Sequence, residues 1–317
     1  MKIVNFTPQH IPAAQALALA CYQEARQACP ALPELSAVPD LAPFAQNNLG
    51  AAALEGDTLV GFLCGLSPFP HAFGSTDAVG VFSPMGANGA IPQDRAKIYA
   101  ALYQAAGAKW ARAGAVSHAL CLYAQDKALQ HQFYTYGFGL RCMDAIRTMD
   151  PIPCAPCPGY EFSLLPKEET PSVYPVHLAL HRHYRESPFF MNRPPQSEEE
   201  FLQSAKEENR LFFAAKRDGQ LCGVLSVSAF GGETFAATGH TYRHINGAYC
   251  LPEHRGKGVY QNLLNCCLST LKAQGVTRLG VDFESINPAA YGFWRKYFTV
   301  YTHGVVRRID EKILETY

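Results

Sequence analysis

Six landmarks recur along this chain at nearly constant separation. Gly61 in LVGFL is matched by Gly223 in LCGVL, Tyr99 by Tyr260, and Gly114 by Gly275. Asp126 is matched by Asn287, Phe133 by Phe293, and Arg147-x-x-Asp150 by Arg307-x-x-Asp310. The separations run only from 162 down to 160 residues. So little drift leaves almost no room for insertions, and two copies of one domain are predicted, each of a usual domain length. Between them, Asp150 to Pro158 carries four prolines, which continue neither a helix nor a central strand. The expected organisation is a first domain at 1–150, a linker at 151–159 and a second domain at 160–317.

The pattern within the second copy alternates strands and helices. Tyr160 to Leu165 reads as a strand, and Ser172 to Arg185 and Ser197 to Asn209 as helices. Ser197 is the N-cap of the second helix, with Glu200 three residues on. Leu211 to Lys216 and Leu221 to Ser228 form a hairpin about Arg217-Asp218-Gly219-Gln220. A strand, a glycine loop, a helix, a strand, a helix and a last strand near Val305-Val306 follow. The first copy repeats this order, its hairpin lying at Leu54 to Leu59. A mixed α/β fold is predicted for each copy, with helices on both faces of the sheet.

Within the second copy, His244 to Leu264 (HINGAYCLPEHRGKGVYQNLL) carries the chemistry. Arg255-Gly256-Lys257-Gly258 opens a helix whose apolar residues are Val259, Leu263, Leu264 and Leu268. A helix start presents unpaired N–H groups and the positive end of the dipole, which suits a phosphate or pyrophosphate. Glycine lets an anion reach that backbone because no Cβ intervenes. Two nucleotide patterns fail here. A Walker loop needs Ser or Thr after its lysine, where this chain has Gly258, and a dinucleotide fingerprint needs a third glycine where it has Gln261.

What remains is [RQ]-x-x-G-x-[GA] after an apolar strand. In this the chain resembles the GNAT superfamily of acyl-CoA-dependent N-acetyltransferases. Arg255 and Gly258 match the motif, and Tyr260 departs from its final Gly/Ala. Downstream, the strand Leu279 to Phe283 is followed by Asn287, Ala290, Phe293, Trp294, Lys296 and Phe298. This is similar to the superfamily's N-x-x-A-x-x-[FL]-Y-x-K-x-G-F element, with Trp294 in place of the tyrosine.

The resemblance implies two tandem GNAT-like domains, each with a mixed, mostly antiparallel sheet. It implies acetyl-CoA as co-substrate, with pantetheine along a splayed strand through Ala248, Tyr249, Cys250 and Leu251. Pyrophosphate would rest on Arg255, Gly256, Lys257, Gly258, Val259 and Tyr260, flanked by Asn287, Phe293 and Trp294. An N–H near Tyr249 or Cys250 would polarise the thioester carbonyl. The acceptor amine needs a base, for which Glu284 and Asp282 are the candidates, though their period-two spacing also fits a solvated edge pair. Tyr291 and Tyr297 could supply the acid, or simply pack. Acceptor recognition would fall on the segment holding Tyr184, Arg185, Phe189, Phe190 and Arg193. The acceptor, a small molecule or a peptide bearing a primary amine, is not identified by this pattern.

The first copy departs where the cofactor would bind. Aligning Tyr99 with Tyr260 sets Asp94, Arg95, Ala96 and Lys97 against Arg255, Gly256, Lys257 and Gly258. Both glycines are lost and an acid enters. This copy is therefore expected to serve packing, contact in a homodimer, or a wall of the acceptor pocket.

Composition narrows the remaining classes. Lys and Arg number 27 against 27 Asp and Glu, which favours neither a nucleic-acid nor a membrane-surface partner. No apolar run of about 18 residues suggests a membrane span. Eleven scattered cysteines suggest buried thiols in a reducing cytoplasm. Cys154-x-x-Cys157 lacks a second such pair, and His177 and His181, four apart, lack a flanking glutamate, so no metal is expected. Two functional classes stay open: an N-acetyltransferase, and a non-catalytic acyl-CoA-binding or scaffold protein.

Overall fold

The Asp218-Gly219 pair makes the turn that its residue types favour, with φ of 50° and 75°, the left-handed pair that suits a two-residue hairpin. This detail belongs to a computed structural model describing residues 1–229, 235–236 and 239–317. The chain divides into two units. One comprises Met1–Met143, Thr234–Ala236 and Val300–Tyr317, and the other Asp144–Glu233 and Ala237–Thr299.

In the first unit the order is β1 (Lys2–Asn5), α1 (Ile11–Ala28), α2 (Ala42–Gln46), β2 (Ala51–Glu55), β3 (Thr58–Leu63), β4 (Gly80–Ser83) and β5 (Asn88–Ala90). There follow α3 (Arg95–Arg112), β6 (Ser117–Tyr123), α4 (Lys127–Thr135) and β7 (Gly139–Thr148), whose end from Asp144 belongs to the second unit. Strands β1, β2, β3 and β5 form an antiparallel sheet in that order. Its two faces are covered by different apolar sets. Leu63, Leu102, Trp110 and Phe133 pack on one side, and Phe6, Ala18, Leu41 and Phe62 on the other.

The second unit continues with β8 (Glu161–Leu164), α5 (Tyr174–His183), α6 (Glu198–Glu207), β9 (Leu211–Arg217), β10 (Gln220–Ser228) and β11 (Tyr242–Cys250). Then come α7 (Val259–Ala273), β12 (Arg278–Glu284) and α8 (Pro288–Tyr297), with the unit ending at Thr299; β13 (Thr299–Val300) straddles that boundary, and β14 (Thr302–Arg308) belongs to the first unit. Strands β8 to β11 pair antiparallel in sequence order, and β12 joins β11 in parallel. Ser197 and Glu200 form the expected capping box, but residues Lys167–Val173 before α5 are a 3-10 turn, so that helix is shorter than its sequence suggests. Pro171 and Pro175 explain the late start, since each removes an N–H from the ladder. Helix α7 buries Val259, Leu263, Leu264, Cys267, Leu268 and Leu271 along one stripe, the spacing of an amphipathic helix on a sheet.

The units do not follow the linear halves. β14, the last strand of the chain, pairs with β6 from Thr302↔Tyr123 to Arg308↔Ser117 and with β7 through Gly304↔Cys142. The last residues therefore pack with the N-terminal unit rather than with the copy they end. Hydrogen-bond pairing between strands overrides chain order here, which no local sequence pattern reveals.

His118 on β6 is 1% exposed, held between the Tyr103 hydroxyl (2.9 Å at Nδ1) and the Ala115 carbonyl (3.1 Å at Nε2). Burial, above all, pushes its pKa down to about 4. The unfolded chain takes up that proton near pH 6.5, so stability is full above that pH and falls toward pH 4. A loss of about 2 kcal/mol is expected by pH 5. Urea unfolding at pH 7 and pH 5 measures it, and His118→Gln should flatten the difference; an equal pH effect in both proteins would refute the assignment.

Among the described residues no helix is long and apolar enough to cross a membrane.

Candidate functional site

Strands β11 and β12 are parallel partners only from Tyr242↔Arg278 to Ile245↔Val281. Beyond Ile245, β11 stays paired with β10, through Gly247↔Ser226, Ala248↔Leu225, Tyr249↔Val224 and Cys250↔Gly223. Its other edge is released from β12 over those residues. The Leu251 amide donates to Cys222 O (2.9 Å) on the β10 side. Strand alternation then turns the amides of Ala248 and Cys250 toward the open edge.

The open edge leads into the glycine loop. Gly256 and Gly258 have φ of 73° and 82°, a region costly for other residues. Gly258 is the N-cap of α7, so the amides of its first turn have no partner within the helix. No atom lies within 4 Å of where a Cβ on Gly256 would stand. The Arg255 Nε donates to Cys250 O (2.8 Å), with its guanidinium 5.1 Å from the Tyr249 ring centre. The Lys257 ammonium is turned back onto Glu253 O (2.7 Å).

A cleft of about 370 Å³ joins these parts. Of the residues expected from sequence, Ala248, Tyr249, Cys250, Arg255, Gly256, Val259, Tyr260, Asn287, Phe293 and Trp294 line it. Leu251, Lys257 and Gly258 do not, although Gly258 sets the helix start. Ala290, which belongs to the downstream motif, lines it as well; Leu180, Gln261 and Ala289 were missed as lining residues, although Gln261 was detectable as the next residue of the α7 turn. Burial pushes the Cys250 thiol up to about 11, so it is protonated at neutral pH. These features fit a phosphorylated, extended thioester: naked amides at one end, an unpaired strand edge along the middle, and apolar walls of Ala290, Phe293 and Trp294.

Tyr260 fills the space a small residue would leave. Its hydroxyl donates to Val224 O (3.0 Å), and its ring meets Phe293 and Trp294 edge-on at 5.3 and 6.2 Å. Asn287 caps α8 by accepting from the Ala290 amide (3.3 Å). Its counterpart Asp126 caps α4 by accepting from Leu129 (2.9 Å), which explains that landmark of the repeat.

Asp282 and Glu284 line a second cavity, of about 140 Å³, that shares Leu180, Ala248, Asn287, Ala290 and Trp294 with the first. Their surroundings differ. Glu284 accepts from Arg193 Nη2 at 2.9 Å and its side chain is 13% exposed. Asp282 is 54% exposed and accepts from His244 Nε2 at 2.8 Å. His244, itself buried, receives the Tyr242 hydroxyl at Nδ1 (2.6 Å). The Tyr242 phenol fits because β12 has Gly280 there: a Cβ on it would stand 1.8 Å from the hydroxyl oxygen. This Tyr242–His244–Asp282 chain was missed from sequence, although Tyr242, His244 and Asn246 are polar at strand period.

Tyr184 and Arg193 line the second cavity and a third, and Phe189 lines the second. Arg185 and Phe190 line none of the three; Phe190 is 74% exposed. Tyr291 and Tyr297 are also absent from these walls. The Arg295 guanidinium stacks on the Tyr291 ring, and Tyr297 packs on Phe293 while its carbonyl accepts from Arg147. Cys154 and Cys157 are free thiols, accepting from Asn265 and donating to Lys257 O respectively. Among the described residues no group of three or more His, Cys, Asp or Glu is arranged to hold a metal.

Residues 178–298 match the profile of the acetyltransferase (GNAT) family. They belong to that family. A GCN5-related N-acetyltransferase from Sphaerobacter thermophilus is similar in structure along 96% of this chain and 95% of its own, with 15% identity and a TM-score of 0.53. At that identity the likeness concerns the fold, and it extends the GNAT fold beyond the matched domain to nearly the whole chain. A GNAT-family acetyltransferase from Colwellia psychrerythraea aligns over 98% of this chain and 100% of its own (13% identity, TM-score 0.46). A tandem GNAT protein from the clavulanic acid biosynthesis pathway aligns over 96% and 97% (16% identity, TM-score 0.43). No match was found among curated proteins.

In the first unit the corresponding region is filled from within. Helix α3 begins directly after Asp94, whose φ is 53°. Arg95 donates to both oxygens of Glu24 (2.9 Å each), to Asp126 (3.2 Å) and to Ala90 O (2.9 Å). The Tyr99 hydroxyl donates to Asn88 Oδ1 (2.7 Å). Arg95 and Tyr99 are thus engaged by groups of the same unit, and α3 begins without the two glycines that open α7.

Proposed function

We propose that this protein is an N-acetyltransferase that moves an acetyl group from acetyl-CoA to a primary amine, using the GNAT domain. The observation that carries this reading is the released edge of β11 running into a helix start with two left-handed glycines. Acetyl-CoA supplies an activated acyl group as a thioester. The amides at the start of α7 hold its pyrophosphate, and the edge of β11 holds the pantetheine as an added strand would. The amide of Ala248 or Cys250 donates to the thioester carbonyl as negative charge grows on its oxygen.

Asp282 is the base. Its one oxygen is fixed by His244, leaving the other for the ammonium of the acceptor. With the Tyr242 O–H on Nδ1, His244 carries its proton on Nε2, so it orients the carboxylate and does not itself take the proton. The neutral amine forms the new C–N bond, the C–S bond breaks, and the proton shed by the attacking nitrogen passes to the thiolate, giving amide and free thiol. The first copy, its cleft closed by Arg95, binds no acyl-CoA.

A thiol-release assay with acetyl-CoA and a library of primary amines tests this. Amine-dependent release above the hydrolytic background is expected. Tight acetyl-CoA binding with no release for any amine would instead mark an acyl-CoA-binding scaffold.

A further inference from the structure

The third cavity, of about 210 Å³, lies among α5, α6 and the β9–β11 face. It meets the second cavity at Leu180, Tyr184, Arg193 and the Asn246–Ala248 stretch of β11. The two ends differ in charge. Asp282 and Glu284 line the second cavity. No acidic side chain lines the third among the described residues; its polar walls include His177, His181, Arg210, Gln196 and Ser226.

His177 carries the clearest mark of a ligand. Its Nε2 is buried with no hydrogen-bond partner, and a buried polar atom left unpaired is unfavourable. Its ring lies 4.3 Å from that of His181 and 4.8 Å from Phe201. Burial first, then His181 and Arg210, press its pKa down to about 4, so at neutral pH the ring is uncharged and can offer one N–H. His181 is held by Arg193 O at Nδ1 (2.8 Å). Arg210, whose Glu208 partner lies outside the cavity wall (2.7 and 2.8 Å), adds the positive charge. A ligand oxygen bearing negative charge satisfies both the orphaned nitrogen and the guanidinium.

Resting on the transferase reading above, we propose that the acceptor is a small amino-acid-like molecule. Its amine lies at Asp282 and its carboxylate in the third cavity against His177 and Arg210. The apolar walls of Val176, Phe201 and Phe212 border the carbon skeleton between. Together the two cavities are of a size for a small molecule.

The test compares matched amines that differ only in the carboxylate: 6-aminohexanoate with pentylamine, and 4-aminobutanoate with propylamine. Turnover is followed by thiol release, and binding to the CoA-saturated protein by calorimetry. For at least one pair the carboxylate is expected to raise kcat/KM tenfold or more, and Arg210→Gln and His177→Gln should each bring that ratio toward one. The second variant keeps the test open if the first does not fold. Turnover with ratios near one would overturn the substrate class and leave the transferase intact. Preferential binding of the carboxylates without turnover would support the cavity assignment while sinking the transferase. Neither turnover nor preferential binding would overturn both.

Discussion

Gly258→Asp is expected to weaken acetyl-CoA binding at least a hundredfold. Two physical effects act together. At φ 82° a side chain strains the turn that begins α7. More important, a carboxylate would stand at the positive end of the helix, where the pyrophosphate charge is held. Like charges about 4 Å apart repel by about 4 kcal/mol near a protein surface, and about 2.8 kcal/mol already corresponds to a hundredfold. Gly258→Ala separates the effects, since it adds strain without charge, and should cost less. In the first unit the N-cap of α3 is an acid, Asp94, paired to Lys97 (2.8 Å), where α7 has Gly258 as its N-cap. Calorimetric titration should therefore count one acetyl-CoA per wild-type chain and none in Gly258→Asp. Unchanged affinity in the variant would refute the loop assignment, and two tight sites in the wild type would refute the closed first copy.

Asp282→Asn should lower kcat by about 10² to 10³, within the usual range for loss of a general base, while leaving the affinity for acetyl-CoA unaltered. The amide keeps the size of the side chain and still accepts from His244, so the loss isolates the proton-accepting role. His244→Phe removes the orientation of that carboxylate, together with the acceptor of the Tyr242 hydroxyl. About tenfold in kcat is expected, with a displaced pH profile for kcat/KM, which a purely structural role for His244 would not move. Glu284→Gln discriminates the two acids that strand period places together. Because Glu284 is engaged by Arg193, its loss should raise the acceptor KM more than it lowers kcat. If Asp282→Asn turned over within threefold of wild type while Glu284→Gln did not, the roles would be reversed.

The two candidates were equivalent as letters in a sequence. Alternation put Asp282 and Glu284 on one face of β12, but only the partners from other elements distinguish them. Arg193 comes from the segment after α5 and His244 from the neighbouring strand. The same limit applies to Tyr291 and Tyr297. Helical spacing placed them near the motif, while their direction from α8 depended on how that helix packs. The orphaned nitrogen of His177 was likewise invisible, because an unsatisfied atom is defined by what surrounds it.

Some things were local and therefore legible. The helix start at Gly258, the cap at Ser197, the turn at Asp218-Gly219 and the apolar stripe of α7 all follow from the conformational limits and spacing of residues close in sequence. The matched landmarks at nearly constant separation were equally easy to read, since they need only the order of residues along the chain. Tertiary structure alone decided where β11 parts from β12, which carboxylate receives His244, and that the last strand packs with the first unit. Those outcomes depend on pairing and burial between segments far apart in the chain, for which a single sequence carries no local signal.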